Sequence, residues 1–184
     1  MRASVTRSGS CGRFDLRQNA GLPPAYPEGV RIHGVVTMFK HILIPTDGSR
    51  TAAKAIVAGV ALAKEMGAMV TGYHAQEPLP AHIYGEGYIA DKKIVADFES
   101  RSREYAERCV AEIGAAAKQA GVKFESMIVK APVPYEGIIE AAKKAKCDAI
   151  FIASHGHRGL ARLVLGSVTN KVLTHSDIPV LVFR

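Results

Sequence analysis

The stretch AIFIASHGHRGLARLVLGSVTNKV, residues 149–172, changes from a strand pattern to a helix pattern across a turn rich in glycine and basic residues. Its first five residues, Ala149 to Ala153, are all apolar and predict a short buried strand. A helix is predicted to begin after Gly166. A buried strand followed by a turn and a helix is the repeating unit of α/β proteins with parallel sheets.

The same alternation extends over residues 38–184. Strands are predicted at His41–Thr46, Ala68–Ala75, Val122–Lys130, Asp148–Ala153 and Ile178–Phe183. Helices are predicted from the Asp47-Gly48-Ser49 turn to Gly67, from about Val95 to Gly121, around Tyr135–Ala142 and after Gly166. Because parallel neighbours need crossover connections, five strands separated by helices predict an α/β fold, a parallel sheet with helices on both faces.

Length and composition favour one globular domain, and the cysteine usage fits a cytoplasmic location. The chain has 184 residues, 48% hydrophobic and 22% charged, and its longest apolar runs are too short to span a bilayer. Its three cysteines, Cys11, Cys109 and Cys147, lie far apart, which excludes a zinc knuckle and a CxxC redox motif and favours a reducing compartment. We therefore expect no membrane segment and treat the cysteines as small core residues.

The formal net charge of +7 does not indicate a nucleic-acid partner. Residues 1–37 carry five arginines and two acidic residues, a net +3, so the remainder is +4. The lysines and arginines of that remainder lie among acidic residues on predicted helices, without interleaved aromatic residues. This pattern favours a solvated surface over a nucleic-acid stripe.

Residues 1–37 have no sustained helix or strand period and are rich in Gly, Pro, Ser and Arg. They have no apolar core of a secretory signal, and Asp15 argues against an organellar transit peptide. We expect a disordered N-terminal extension, or a natural start at Met38, followed by one domain over residues 38–184.

Two strand ends carry residues suited to a nucleotide. Helix N-termini attract phosphate, glycine lets the backbone approach an anion, and the Ser167 hydroxyl can donate to a phosphate oxygen. Packing is the alternative explanation, in which Gly156 and Gly159 form turns and Ser167 caps the helix. Asp47 can likewise accept from ribose hydroxyls or cap the first helix.

Other chemistries are less well supported. No lysine follows Gly166 as a Walker motif requires, and no Gly-x-Gly-x-x-Gly follows the first strand. His155 and His157 lack a nearby third ligand, so we expect no metal site in the protein itself. Ser154-His155 is not part of a Gly-x-Ser-x-Gly elbow, and we name no catalytic residue.

The segments Ile42-Leu43-Ile44-Pro45-Thr46-Asp47-Gly48-Ser49 and Ser154-His155-Gly156 through Gly166-Ser167-Val168 to Val182 resemble the universal stress protein family over residues 38–184. The resemblance implies an adenine-nucleotide-binding α/β sheet of strand order 3-2-1-4-5. The family's motif has glycine, two residues, glycine, nine residues, then glycine and serine or threonine. This chain has Ala153 at the first glycine, where a methyl group would crowd the ribose or phosphate by about one carbon.

The resemblance also implies the binding residues. Pro45, Thr46 and Asp47 would lie beside the nucleoside, Ala75 would contact adenine through its backbone, and the glycine loop would hold the phosphates. We add His157 and Arg158 on charge alone. The predicted nucleotide-binding residues are Pro45, Thr46, Asp47, Ala75, Ala153, Gly156, His157, Arg158, Gly166, Ser167 and Val168.

We therefore expect a homodimeric stress-response regulator that binds ATP, ADP or AMP, with Mg²⁺ or Mn²⁺ on the phosphates. The long apolar strand at the C-terminus is expected to form the dimer contact. Without a positioned base or arginine finger, ATP hydrolysis or autophosphorylation is expected to be slow. The alternatives are a family member that acts by protein–protein contacts without nucleotide, and a slow ATPase or phosphotransferase.

Overall fold

The computed structural model describes residues 31–32, 35–36, 38–79, 92–157 and 165–184. Two short strands, β1 (Arg31–Ile32) and β2 (Val35–Val36), pair antiparallel. The remaining elements are β3 (His41–Pro45), α1 (Arg50–Met66), β4 (Met69–Gln76), α2 (Lys92–Ala120), β5 (Phe124–Lys130), α3 (Pro134–Lys144), β6 (Ala149–Ala153), α4 (Ser167–His175) and β7 (Val180–Phe183).

The main sheet has five parallel strands in the order β5-β4-β3-β6-β7. Counted along the chain from β3, this is the order 3-2-1-4-5, so the predicted fold is confirmed. The order reverses between β3 and β6, which are neighbours in space although β4 and β5 lie between them in sequence. Ligands of such sheets bind at the carboxyl ends of the strands where the order reverses.

Alternate residues of the buried strands face two separate apolar cores. Ile42 and Ile44 of β3 pack in the core beneath α1 and α2, whereas Leu43 packs in the core beneath α3 and α4. All five residues of β6 are buried, as expected of a central strand covered on both faces.

Several predicted boundaries shift by one or two residues for local reasons. The third strand of the sheet starts at Phe124 instead of Val122, because the Val122 N–H donates to the carbonyl of Ala117 and closes the end of α2. The fifth starts at Val180 instead of Ile178, because both backbone groups of Ile178 bond to the Ser176 hydroxyl. Capping bonds have replaced ladder bonds at both points.

None of the helices in the described ranges is long and apolar enough to cross a membrane. Cys109 and Cys147 are buried, and burial raises the pKa of both thiols, that of Cys147 to about 12. Both are small core residues, as predicted; Cys11 lies outside the described residues.

Candidate functional site

The candidate site lies where the carboxyl ends of β3 and β6 meet. Residues 46–49, here called the β3 loop, connect β3 to α1, and residues 154–157, the described part of the β6 loop, follow β6. The first turn of α4 begins at Ser167 beside them. Three segments far apart in sequence thus come together at one edge of the sheet.

Asp47 joins the two loops through its carboxylate. Its Oδ1 accepts from the Ser49 N–H at 3.0 Å, and its Oδ2 accepts from the His157 N–H at 3.0 Å. Ser49 is the N-cap of α1, with its hydroxyl accepting from the Ala52 N–H at 3.1 Å. The reading of Asp47 as the helix cap is therefore wrong, and the Asp47 carboxylate contacts the β6 loop instead.

Pro45 and Thr46 form a rigid entry to the β3 loop. Both are buried, and the Thr46 N–H donates to the Tyr73 carbonyl at 2.9 Å, which extends the pairing between β3 and β4 by one bond. The Thr46 hydroxyl accepts from the Gly48 N–H at 3.1 Å, and Gly48 adopts φ +79°, a region that favours glycine. Hydrogen bonds thus fix the backbone of the β3 loop on both sides of Asp47.

Gly156 is needed because the Asp47 carboxylate lies against it. A Cβ at this position would collide with Asp47 Oδ2. The absence of a side chain lets the Asp47 carboxylate approach the backbone at Gly156. Any side chain there would push away this carboxylate, which accepts from the N–H of the next residue, His157. The contact with Asp47 therefore explains this glycine, and its role toward a phosphate stays a prediction.

Gly166 joins the β6 loop to α4. Its N–H donates to the Ser154 carbonyl at 2.8 Å, and a Cβ would lie 3.0 Å from that carbonyl oxygen. The Ser154 N–H donates to the Phe183 carbonyl at 2.7 Å, so the loop is also hydrogen-bonded to the edge strand β7. The Thr169 hydroxyl adds a 2.8 Å bond to the Ala153 carbonyl. The start of α4 is held close to the end of β6.

The N-terminus of α4 is not capped by a side chain in the described part of the chain. The N-cap is Gly166, so the interpretation of Ser167 as the cap is wrong. Ser167 is exposed as the first helical residue, and Val168 packs partly against the core beneath α3 and α4. The first N–H groups of a helix have no acceptor within the helix, and such an end favours negative charge.

Ala75 lies beyond the end of β3. β3 pairs with β4 only as far as Tyr73, whose carbonyl accepts from Thr46. In a strand the backbone groups of residues i and i+2 point the same way, so the N–H and C=O of Ala75 point to the side where β3 has ended. This residue offers one donor and one acceptor at the edge of the site.

Ala153, which replaces the first motif glycine, is 7% exposed and packs in the core beneath α1 and α2. Its methyl group thus packs against the core, and the crowding of a ligand by this methyl stays a prediction. Its carbonyl is occupied by Thr169. The substitution adds core packing at the end of β6.

The sequence reading missed two side chains that contact the β3 loop. The Tyr105 hydroxyl of α2 donates to the Asp47 carbonyl at 2.7 Å, and His74 Nδ1 lies 2.8 Å from the Thr46 carbonyl. Their rings are in edge contact, with centroids 5.6 Å apart. Tyr105 lies within the helix predicted from about Val95 to Gly121, where a phenol hydroxyl that needs a hydrogen-bond partner is the one available signal.

Arg158 and Gly159 lie outside the described residues. His157 is exposed, and its Nε2 lies 2.9 Å from the Asp47 carbonyl. His155 Nδ1 lies 3.0 Å from the Ser154 hydroxyl. Within the described ranges no group of three His, Cys, Asp or Glu side chains is arranged to hold a metal ion.

The model of the universal stress protein family matches residues 38–184. A universal stress protein of Thermus aquaticus is 34% identical over 147 residues, which cover 80% of this chain and all of the relative. The solved structure of MJ0577, a universal stress protein of Methanocaldococcus jannaschii, is 28% identical with a TM-score of 0.63, and the match covers 79% of this chain and 95% of that chain.

Two more distant universal stress protein structures contain adenine nucleotides. A complex with cAMP is 22% identical with a TM-score of 0.58, over 79% of this chain and 97% of that chain. A complex with dAMP from Archaeoglobus fulgidus is 20% identical with a TM-score of 0.54, over 79% of this chain and 98% of that chain. At these identities the likeness shows a common fold.

Proposed function

The chain belongs to the universal stress protein family, and we propose that it binds an adenine nucleotide, ATP, ADP or AMP, between the β3 and β6 loops. The observation that carries the proposal is the bond between the Asp47 carboxylate and the His157 N–H, which brings a ribose acceptor and an anion loop into one site. Family relatives with cAMP and dAMP bound support the ligand class.

The base binds at the backbone of Ala75. Adenine presents an amino donor beside ring-nitrogen acceptors, so it can pair with an adjacent backbone C=O and N–H. Guanine presents a carbonyl oxygen where adenine has its amino group, and that oxygen would face the Ala75 carbonyl. The site therefore selects ATP over GTP.

Asp47 binds the ribose. An ionised carboxylate has about four acceptor positions, and the backbone N–H groups of Ser49 and His157 occupy two of them. The remaining positions accept from ribose hydroxyls. Because the two backbone bonds hold the carboxylate in place, the ribose meets an acceptor that is already oriented.

The phosphates bind at the N-terminus of α4. Gly166 holds the start of α4 against the Ser154 carbonyl at the end of β6. Ser167 and Val168 supply N–H groups at the positive end of the helix. His157, and Arg158 by its place in the sequence, add basic character. A Mg²⁺ or Mn²⁺ ion would bind through the phosphate oxygens, which it would screen from one another.

Catalysis is not the main role of this site. The Asp47 carboxylate, the acidic group of the site, already accepts from the backbone N–H groups of Ser49 and His157. Hydrolysis or autophosphorylation is slow, and the protein acts as a stress-response regulator whose state depends on the bound nucleotide. It works as a homodimer through β7, the edge strand whose Val182 is 36% exposed.

Mass spectrometry of the denatured, freshly purified protein tests which nucleotide co-purifies. Titration calorimetry with ATP and GTP then compares wild type with Gly166→Val, whose side chain would push against the Ser154 carbonyl. Ala61→Val adds the same side chain at an exposed position of α1 and is the control.

We expect ATP binding by wild type and by Ala61→Val, weaker GTP binding, and no ATP binding by a folded Gly166→Val. Equal ATP affinity in all three proteins would exclude this site. No ATP binding by wild type would favour a member that acts through protein contacts alone.

A further inference from the structure

We propose that Tyr105 of α2 is a positioning residue of the nucleotide site, which locks the β3 loop and the β6 loop together from outside both of them. The inference rests on the proposed nucleotide binding for its functional meaning. It assigns to α2, an element with no predicted site residue, the support of Asp47 and His157.

One carbonyl oxygen connects the three residues. The Asp47 carbonyl accepts from the Tyr105 hydroxyl at 2.7 Å and contacts His157 Nε2 at 2.9 Å, while the Tyr105 oxygen and His157 Nε2 are 3.3 Å apart. Because a carbonyl only accepts, His157 Nε2 must carry the proton in this contact. A phenol on α2 and an imidazole from the β6 loop thus converge on the backbone of the β3 loop.

The backbone is built to admit the phenol. A Cβ at Gly48 would collide with the Tyr105 hydroxyl and lie 2.9 Å from Cys109 Sγ. Gly48 also has φ +79°, so the residue after Asp47 is suited to glycine for its conformation and for the space it leaves. The absence of a side chain at Gly48 therefore allows Tyr105 to approach Asp47.

Tyr105 acts on the backbone of Asp47, whereas the carboxylate of Asp47 is the group proposed to meet the ribose. The Asp47 carboxylate is held by Ser49 and His157, and its carbonyl is held by Tyr105 and His157. A residue held at both its backbone and its side chain loses little further freedom when a ribose binds. Desolvation of its hydroxyl, with the neighbouring Cys109 thiol and the Asp47 charge, raises the pKa of Tyr105 to about 12, so the hydroxyl is a donor at neutral pH.

The test compares Tyr105→Phe with wild type by ATP calorimetry, thermal unfolding and NMR of the His157 backbone amide without nucleotide. Tyr135→Phe is the matched control, since it removes a tyrosine hydroxyl that donates to Glu136 on α3. Loss of one oriented hydrogen bond predicts about three- to tenfold weaker ATP binding in Tyr105→Phe. The His157 amide resonance should shift, because its acceptor Asp47 loses an anchor, while the control leaves both quantities unchanged.

Unchanged ATP affinity in Tyr105→Phe, with wild type binding ATP, would overturn this proposal and leave the nucleotide site standing. An unmoved His157 amide would also overturn it. If wild type binds no nucleotide, the proposed function fails along with the functional role of Tyr105. A second measurement uses His157→Ala: adding Tyr105→Phe to this variant should weaken ATP binding less than it does in wild type, and an equal loss would contradict the shared contact.

Discussion

The Asp47 carboxylate accepts a 3.0 Å hydrogen bond from the backbone N–H of His157, 110 residues further along the chain. The bond joins the ends of β3 and β6, the neighbouring strands between which the sheet order reverses. Together with the 2.9 Å contact between His157 Nε2 and the Asp47 carbonyl, it makes the two loops one surface. The integrity of that surface should depend on the residues that allow the two loops to approach.

Gly156→Ala should weaken both stability and ATP binding. The new Cβ would collide with the Asp47 carboxylate, and relieving that overlap is expected to cost about 1–3 kcal/mol of the free energy of unfolding. Because the displaced Asp47 carboxylate would no longer be oriented toward the ribose, we expect ATP affinity to fall by about tenfold, equivalent to about 1.4 kcal/mol of binding free energy. Urea unfolding and calorimetry measure the two effects. Gly166→Ala is the comparison, because its Cβ would lie 3.0 Å from the Ser154 carbonyl oxygen and should be tolerated better; a reversed ranking would contradict the contact.

Tyr73→Phe should stabilise the protein. Tyr73 is 1% exposed, and its hydroxyl has no hydrogen-bond partner, the one such buried side-chain group among the described residues. Removing an unsatisfied buried hydroxyl is expected to raise the free energy of unfolding by about 1 kcal/mol at pH 7. Urea unfolding at pH 7 measures this, and Tyr135→Phe, which loses an exposed hydroxyl, is the control.

The same residue predicts a loss of stability at alkaline pH. Burial raises the pKa of Tyr73 from 10.0 to about 12, so the residue ionises first in the unfolded chain. This titration leaves the free energy of unfolding unchanged below pH 10 and lowers it as the pH rises toward 12, with a slope of about 1.4 kcal/mol per pH unit. The wild-type stability should therefore fall more steeply above pH 10 than that of Tyr73→Phe. Parallel curves would argue against the buried phenol as the cause.

Val182→Lys should separate the proposed dimer. Among the strands that the structure describes, β7 pairs with β6 alone, and Val182 is 36% exposed on this edge strand. A lysine on an open edge opposes pairing with a second edge strand. Light scattering should give the mass of two chains for wild type and of one chain for the variant. Val57→Lys on α1 changes a 66% exposed valine away from the edge and should remain dimeric; a one-chain mass for wild type at micromolar concentration would reject the dimer.

Removal of residues 1–37 should leave the melting temperature unchanged. The segment lacks a periodic apolar pattern with which to cover a core, and the strand pair that the structure describes there, β1 with β2, comprises two residues on each side. Calorimetric unfolding of the full chain and of a chain starting at Met38 makes the comparison. A drop of several degrees would show that the segment packs on residues 38–184.

Local chemistry was sufficient to predict most of the fold. The apolar run Ile42–Ile44 and the buried strand Ala149–Ala153 were recognisable because a strand enclosed on both faces must be apolar throughout. Gly67 ends α1 at φ +64°, as its place after an amphipathic helix predicted. These features depend on neighbours within a few positions, so they can be read along the chain. The order of the strands came from the family resemblance, and the structure bears it out.

The contacts within the site depend on the assembled sheet. Sequence reasoning left Asp47 as either a helix cap or a ribose ligand, and the structure gave the cap to Ser49 because the Ser49 hydroxyl reaches the Ala52 N–H. Tyr105 matched an apolar helix spacing, and its bond to Asp47 requires α2 to pack across a loop 58 residues earlier. A hydrogen bond of about 3 Å is lost when its two atoms move apart by less than the length of one residue. Strand order and helix packing therefore decide them, and a linear pattern of residue types does not contain that information.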